Sequence, residues 1–197
     1  MGICMTVRAL SDDKIRAILE EPPLVWRIVA PENPELYLEE SGQAGRPGFL
    51  ARLLGAQRKR PPRVPDFVFS EAEAHEVDLD KSWDGLNFCI GRLVGRGDCP
   101  NLFEDGAEVG DVEIGYGAAM CFGSAEVARI AERYAAISEA DLLAEYAPAE
   151  MEGVYPGALW VRGDEECRAY LADSFAALKE FLLNVKREGV GILIQFT

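Results

Sequence analysis

The sequence predicts an α/β domain in which both ends of the chain are strands of one helix-covered sheet. Near the C-terminus, "VGILIQF" is almost continuously apolar, as a strand covered on both faces must be. "GICMTV" at the N-terminus has the same character. Between them, segments with apolar residues at i, i+3, i+4 and i+7 mark amphipathic helices able to cover such a sheet. A chain of 197 residues, 49% hydrophobic, buries about 70% of its unfolded surface and can fold without disulfides or metal. No internal repeat or low-complexity linker divides it, so a single domain over 1–197 is the economical reading.

After the first strand, "SDDKIRAILEEPP" reads as a helix. Ser11 stands at the cap, Asp12 and Asp13 favour the positive end of the dipole, and Ile15, Ile18 and Leu19 form the inward stripe. Pro22 and Pro23 stop it. "FLARLLG" is a short amphipathic turn closed by Gly55. A basic, proline-rich loop over about 56–66, "AQRKRPPRVPDF", should then lie exposed. No aromatic residue interleaves its charges, as stacking on nucleic-acid bases requires, so a solvated connection is preferred to an anion site.

"VDLDKSWDGLNFCIG", Val77 to Gly91, reads as a short helix around Trp83. A tract punctuated by glycines from Gly95 to Gly123 follows. It lacks G-x-G-x-x-G and no strand immediately precedes it, which argues against a dinucleotide loop. Inside that tract "AAMCF" is apolar and short, as a buried strand is. Ser124 opens a helix with Val127, Ile130, Ala131 and Tyr134 on its inner face. "SEAD", Ser138 to Asp141, matches a capping box for a further helix ended by Pro148. The longest helix runs from about Asp164 to Glu188, with Cys167, Leu171, Phe175, Leu178, Leu182 and Val185 in period and Gly189 as the stop.

Five scattered cysteines, no C-x-x-C pair and one histidine, His75, argue against a zinc site and fit reduced thiols in a cytosol. No apolar run is long enough to span a membrane, and no secretion signal precedes the first strand. "MGICMT" satisfies the myristoylation pattern, but a buried first strand is the preferred reading of the same residues. The net charge is −14, unevenly spread: +6 from Arg46 to Arg63 and −13 from Glu71 to Glu150. Such a surface repels nucleic-acid phosphates and suits either solubility or a basic partner.

The candidate ligand-binding residues are Asp80, Lys81, Trp83, Asp84, Asn87 and Tyr116. On a 100° step Trp83, Leu86 and Ile90 share a buried arc, while Asp80, Asp84 and Asn87 share a polar one. Asp80 stands where an N-cap belongs, and that structural reading is preferred. The rival has Asp84 and Asn87 looking into a cleft, holding a cation or sharing a proton. In "EIGYG", Gly115 and Gly117 either make a tight turn or hold the Tyr116 phenol at that cleft. His75 sits among acidic residues as a solvated helix-start residue. No G-x-S-x-G elbow or nucleophile–base pair is present, so no catalytic residue is assigned.

In order along the chain, "MGICMTVRALSDDKI…ILEEP", "LDKSWDGLNF", "EIGYG", "AEMEGVYP" and "FAALKEFLLNVKREGVGILIQF" resemble the YfbM-like family of uncharacterised bacterial proteins. The resemblance covers nearly the whole chain. It implies a three-layer α/β/α sandwich, with a mixed sheet that includes both terminal strands. It brings no activity and no catalytic residues. Three departures stand out: Asn87 where the family more typically has a histidine, Ala118 where proline follows "GYG", and a longer basic loop.

The resulting expectation is a cytoplasmic binding protein with an acidic surface and a basic protein partner, leaning away from an enzyme. It invokes no cofactor, no metal, no nucleic acid and no membrane. The alternative is a small-ligand binder or enzyme with a polar cleft near Asp80, Asp84, Asn87 and Tyr116.

Overall fold

The two apolar terminal segments pair with each other at the centre of the sheet. The computed structural model describes residues 2–42, 64–94 and 99–197. Its strands are β1 (Met5–Leu10), β2 (Glu76–Asp78), β3 (Ala107–Glu113), β4 (Ala118–Phe122) and β5 (Gly191–Phe196), in the spatial order β2-β1-β5-β4-β3. Val7 stands opposite Ile194 across the central pair, and Ile194 stands opposite Met120 on its other side. All four pairings are antiparallel, so the mixed sheet expected from the sequence is corrected. The reason is physical: with both faces covered, a strand loses the polar alternation of a half-exposed antiparallel strand and reads like a parallel one.

The described helices are α1 (Asp12–Glu20), α2 (Trp26–Val29), α3 (Pro34–Glu40), α4 (Trp83–Val94), α5 (Ser124–Ala135), α6 (Glu139–Ala144), α7 (Gly157–Trp160) and α8 (Glu165–Glu188). They divide between the sheet's two faces. Met5, Val7, Ile192 and Ile194 pack against Leu86 and Ile90 of α4, Val127 and Ile130 of α5, and Leu171, Phe175 and Leu178 of α8. Leu10, Ala119, Cys121 and Leu193 face the other way, onto Ile15 and Ile18 of α1, Ile28 of α2 and Tyr37 of α3. Two cores on opposite faces of one sheet make the three α/β/α layers.

Local signals work as their chemistry requires. The Asp164 side chain accepts from Cys167 N at 2.9 Å, and Gly189 ends α8 with φ +67°, a left-handed turn that costs a glycine little. Ser138 and Asp141 exchange both capping-box bonds, each at 3.1 Å. Ser11 stands at the N-cap of α1 but makes no side-chain capping bond there, and Leu19, expected inside, is 40% exposed. The helix expected from Ser138 to Pro148 stops at Ala144.

Two strands had no visible signal. β2 is only three residues long. In β3 the register shifts between Glu108 and Glu113, leaving buried Val109 and Val112 three apart, so the period of two is lost. "FLARLLG" and most of the basic loop lie outside the described residues. At its end, buried Arg27 donates to Pro65 O at 3.0 Å, and Val64 packs on the second core.

Candidate functional site

Between β2 and α4 the chain turns at Leu79–Ser82, and Asp80 adopts φ +43° there. A left-handed backbone costs a non-glycine residue about 1–2 kcal/mol, so the surroundings must hold it. They do so by three routes. Asp80 N donates to Asp78 Oδ1 at 2.7 Å. Met5 N donates to Asp80 O, and Leu79 N to Met5 O, pinning the turn to β1. The Asp80 carboxylate accepts from Cys4 Sγ at 3.1 Å on one oxygen and from the Tyr170 hydroxyl at 3.0 Å on the other.

Asp80 is therefore not the cap of α4, and that expectation is corrected. Ser82 directly precedes Trp83; its carbonyl accepts from Leu86 N, and its hydroxyl donates to Leu79 O at 2.6 Å. Aspartate is favoured both at caps and in left-handed turns, so the residue type does not distinguish the two.

The hydrogen bonds set the protonation of this corner. The Cys4 contact, then the Tyr170 contact, hold the Asp80 carboxyl below its ordinary value. The same carboxylate, with burial, pushes the Cys4 thiol up. Burial, then Asp80, pushes the Tyr170 phenol up to about 12. Thiol and phenol both hold their protons more tightly than the free groups do.

A cleft of about 700 Å³ opens at this corner. Gly2, Asp80 and Lys81 line it together with Tyr155, Pro156, Ala158, Leu159, Arg162 and Tyr170. Each tyrosine is backed by a tryptophan. Trp83 stacks on Tyr155 at 6.0 Å and meets Phe196 edge-on at 5.0 Å, while its Nε1 donates to Ile3 O at 3.2 Å. Trp160 stacks on Tyr170 at 6.0 Å, and its Nε1 donates to Tyr155 O at 2.8 Å. The Trp160 ring lies so close to Gly85 of α4 that a Cβ there would stand 2.5 Å from Cζ2. Tyr155 N donates to Asp84 Oδ2 at 2.7 Å, and the Tyr155 hydroxyl accepts from Ile3 N at 2.6 Å. Wall and floor are thus fixed by packed rings and backbone bonds.

The six sequence candidates do not converge. Asp80 and Lys81 line the cleft; Trp83 and Asp84 stand behind it and position Tyr155. Asn87 lines a second cavity of about 600 Å³, donating to Glu104 Oε1 at 2.9 Å and accepting from Asn101 Nδ2 at 3.0 Å. Tyr116 is 52% exposed in the β3–β4 turn and lines neither cavity; its N donates to Phe196 O at 2.8 Å. The glycines of "EIGYG" make a turn, with Gly117 at φ +100°, but Tyr116 is exposed on it and not packed as the turn reading expects. His75 also lines neither cavity, and its carbonyl accepts from Ala9 N. Among the described residues no group of His, Cys, Asp and Glu is placed to hold a metal ion.

Sequence reasoning missed Gly2, Tyr155, Arg162 and Tyr170. "AEMEGVYP" drew notice as a segment, but no spacing links residue 155 to residue 80. Tyr170 lies one position off the buried stripe that passes through Leu171, where an aromatic at a helix edge has no distinguishing pattern.

Fold and site together define a small α/β domain with an aromatic-backed polar cleft. A profile described as "Domain of unknown function (DUF1877)" matches residues 1–195, and the chain belongs to that family. Among solved structures it is similar to YfbM from Escherichia coli, itself described as a protein of unknown function. The two share 14% identity over 98% of this chain and 99% of that one, with a TM-score of 0.56. At that identity the likeness shows the fold. No curated protein matches the chain. No described helix is long and apolar enough to cross a membrane.

Proposed function

We propose that the protein acts by binding, without chemistry of its own, and that a small polar ligand occupies the cleft between the 79–82 turn and the 155–162 segment. The observation that supports this most is Asp80, kept in a left-handed backbone at the cleft wall by bonds from three separate parts of the chain. Strain that the surroundings over-determine is characteristic of ligand sites. The raised Cys4 thiol and Tyr170 phenol weigh against a thiolate or phenolate nucleophile. Five free cysteines, three of them buried, suit a cytoplasmic setting.

A fragment screen read by backbone amide shifts tests the proposal. Hits should cluster at Gly2, Lys81, Tyr155, Leu159 and Tyr170, and Ala158→Trp, which puts a large ring into the lining, should abolish them. Hits confined to the Asn87 cavity would overturn the assignment.

A basic protein partner is the second reading, favoured by the sheet's two edges. Glu76 and Asp78 on β2 and Glu108, Asp111 and Glu113 on β3 are all exposed carboxylates. Capture of such a partner at low salt should weaken steeply as salt rises; binding indifferent to ionic strength would remove this reading.

A further inference from the structure

We infer that the ligand of this cleft carries a single carboxylate, held by Lys81 Nζ and the Tyr155 hydroxyl; the inference rests on the binding reading above. The groups lining the cleft divide into those engaged with other protein groups and those whose polar hydrogens have no partner among the described residues. Each Asp80 oxygen accepts a bond, from Cys4 and from Tyr170. The Tyr170 hydroxyl both donates to Asp80 and accepts from Lys81 N at 3.1 Å. Arg162 commits Nε to Asp164 at 2.8 Å and Nη2 to Glu166 at 2.9 Å.

Asp80 and Arg162 keep spare lone pairs and N–H groups, but both are already tied to charged or polar partners; two lining groups have polar hydrogens with no partner among the described residues. Lys81 Nζ makes no hydrogen bond or ion pair among the described residues, and it acts on the Asp80 side chain as a charge. An ammonium carries three N–H donors and no acceptor. The Tyr155 hydroxyl accepts from Ile3 N, yet its own proton has no acceptor among the described residues. Both groups meet at one place: a Cβ on Gly2 would stand 2.6 Å from Tyr155 Oη and against Lys81 Cε. Adjacent N–H and O–H donors with no acceptor of their own fit an acceptor-rich anion.

Charge limits that anion to one negative unit. Arg162 is already ion-paired with Asp164 and Glu166, so Lys81 is the cation left to meet an anion here, and with Asp80 close by a second negative charge on the ligand would have no cation to balance it. The remaining walls, the rings of Tyr155 and Tyr170 with Pro156 and Leu159, offer apolar surface to the ligand's body. A cleft of about 700 Å³ is of the size that holds a small organic molecule.

Three probes of one shape test this: benzoate, neutral benzamide and phenyl phosphate, titrated while backbone amide shifts are followed. Benzoate should bind at least fivefold more tightly than either of the others. Lys81→Met should weaken benzoate tenfold or more while leaving benzamide within twofold, and Lys81→Arg should restore most of the benzoate affinity. Lys81 contributes its backbone N–H to Tyr170, which every variant keeps, so an unchanged melting temperature is expected alongside. Benzamide as tight as benzoate, or an indifferent Lys81→Met, would overturn the carboxylate and leave the binding cleft standing. Tighter phenyl phosphate would overturn the single charge. If no probe moves any cleft amide, the inference falls, and the fragment screen decides the binding reading separately.

Discussion

Asp80 and Glu73 are the two acidic residues whose surroundings ask most of them. At residue 80 the backbone conformation and the side-chain bonds separate by mutation. Asp80→Ala and Asp80→Gly both lose the Cys4 and Tyr170 contacts, but only alanine keeps the left-handed penalty. Urea unfolding should therefore find Asp80→Ala less stable than Asp80→Gly by about 1 kcal/mol. Equal midpoints would mean the turn relaxes without Asp80. Glu73 is buried, and its carboxylate accepts from Lys14 Nζ at 2.6 Å, Ser70 N at 2.8 Å and Ser11 N at 2.9 Å. Burial alone would raise its carboxyl, but the Lys14 ammonium and the two backbone donors prevail and hold it at about 2. A carboxyl depressed on folding stabilises above its ordinary value of 4.5 and loses that contribution as pH falls towards 2. Glu73→Gln should thus cost about 3 kcal/mol at pH 7. Its deficit should shrink steadily between pH 4.5 and pH 2, and a deficit independent of pH would contradict the ion pair.

Elements with one buried stripe were legible from sequence, and elements shaped by their neighbours were not. α5 and α8 bury the residues their period names, because a helix against a sheet needs one continuous apolar face. β3 was hidden by its bulge, and β2 by its three-residue length. The cleft was half legible: Asp80 and Lys81 were in view, but their partners at residues 2, 155, 162 and 170 are brought to them only by the fold. The junction of α4 with α7 shows what such assembly demands. Gly85 leaves room for the Trp160 ring, so Gly85→Ala must displace a buried tryptophan that backs the Tyr170 wall. Thermal or urea unfolding should show a loss of about 1–3 kcal/mol. Shifts in the Tyr155 and Tyr170 signals should accompany it, and a silent substitution would show the wall to be less fixed than its contacts indicate.

For the molecule as a whole, β5 is the shared support of both cores. Ile194 faces α4, α5 and α8, while Leu193 faces α1 and the segments after it. Ile194→Ala and Leu193→Ala should each cost about 2–5 kcal/mol. Near-wild-type urea midpoints for either would mean that its core tolerates a cavity. The pairing of Val7 with Ile194 also fixes an order of events. The nearest neighbours in space at the sheet's centre are among the most distant in sequence, so the chain must close its largest loop before the middle of the sheet exists. A nascent chain that has not yet supplied residues 191–196 carries β1 and β4 with bare edges, each ready to pair with another molecule. Synthesis of residues 1–190 alone should yield aggregates, whereas adding the last strand, even as a separate peptide, should rescue soluble material.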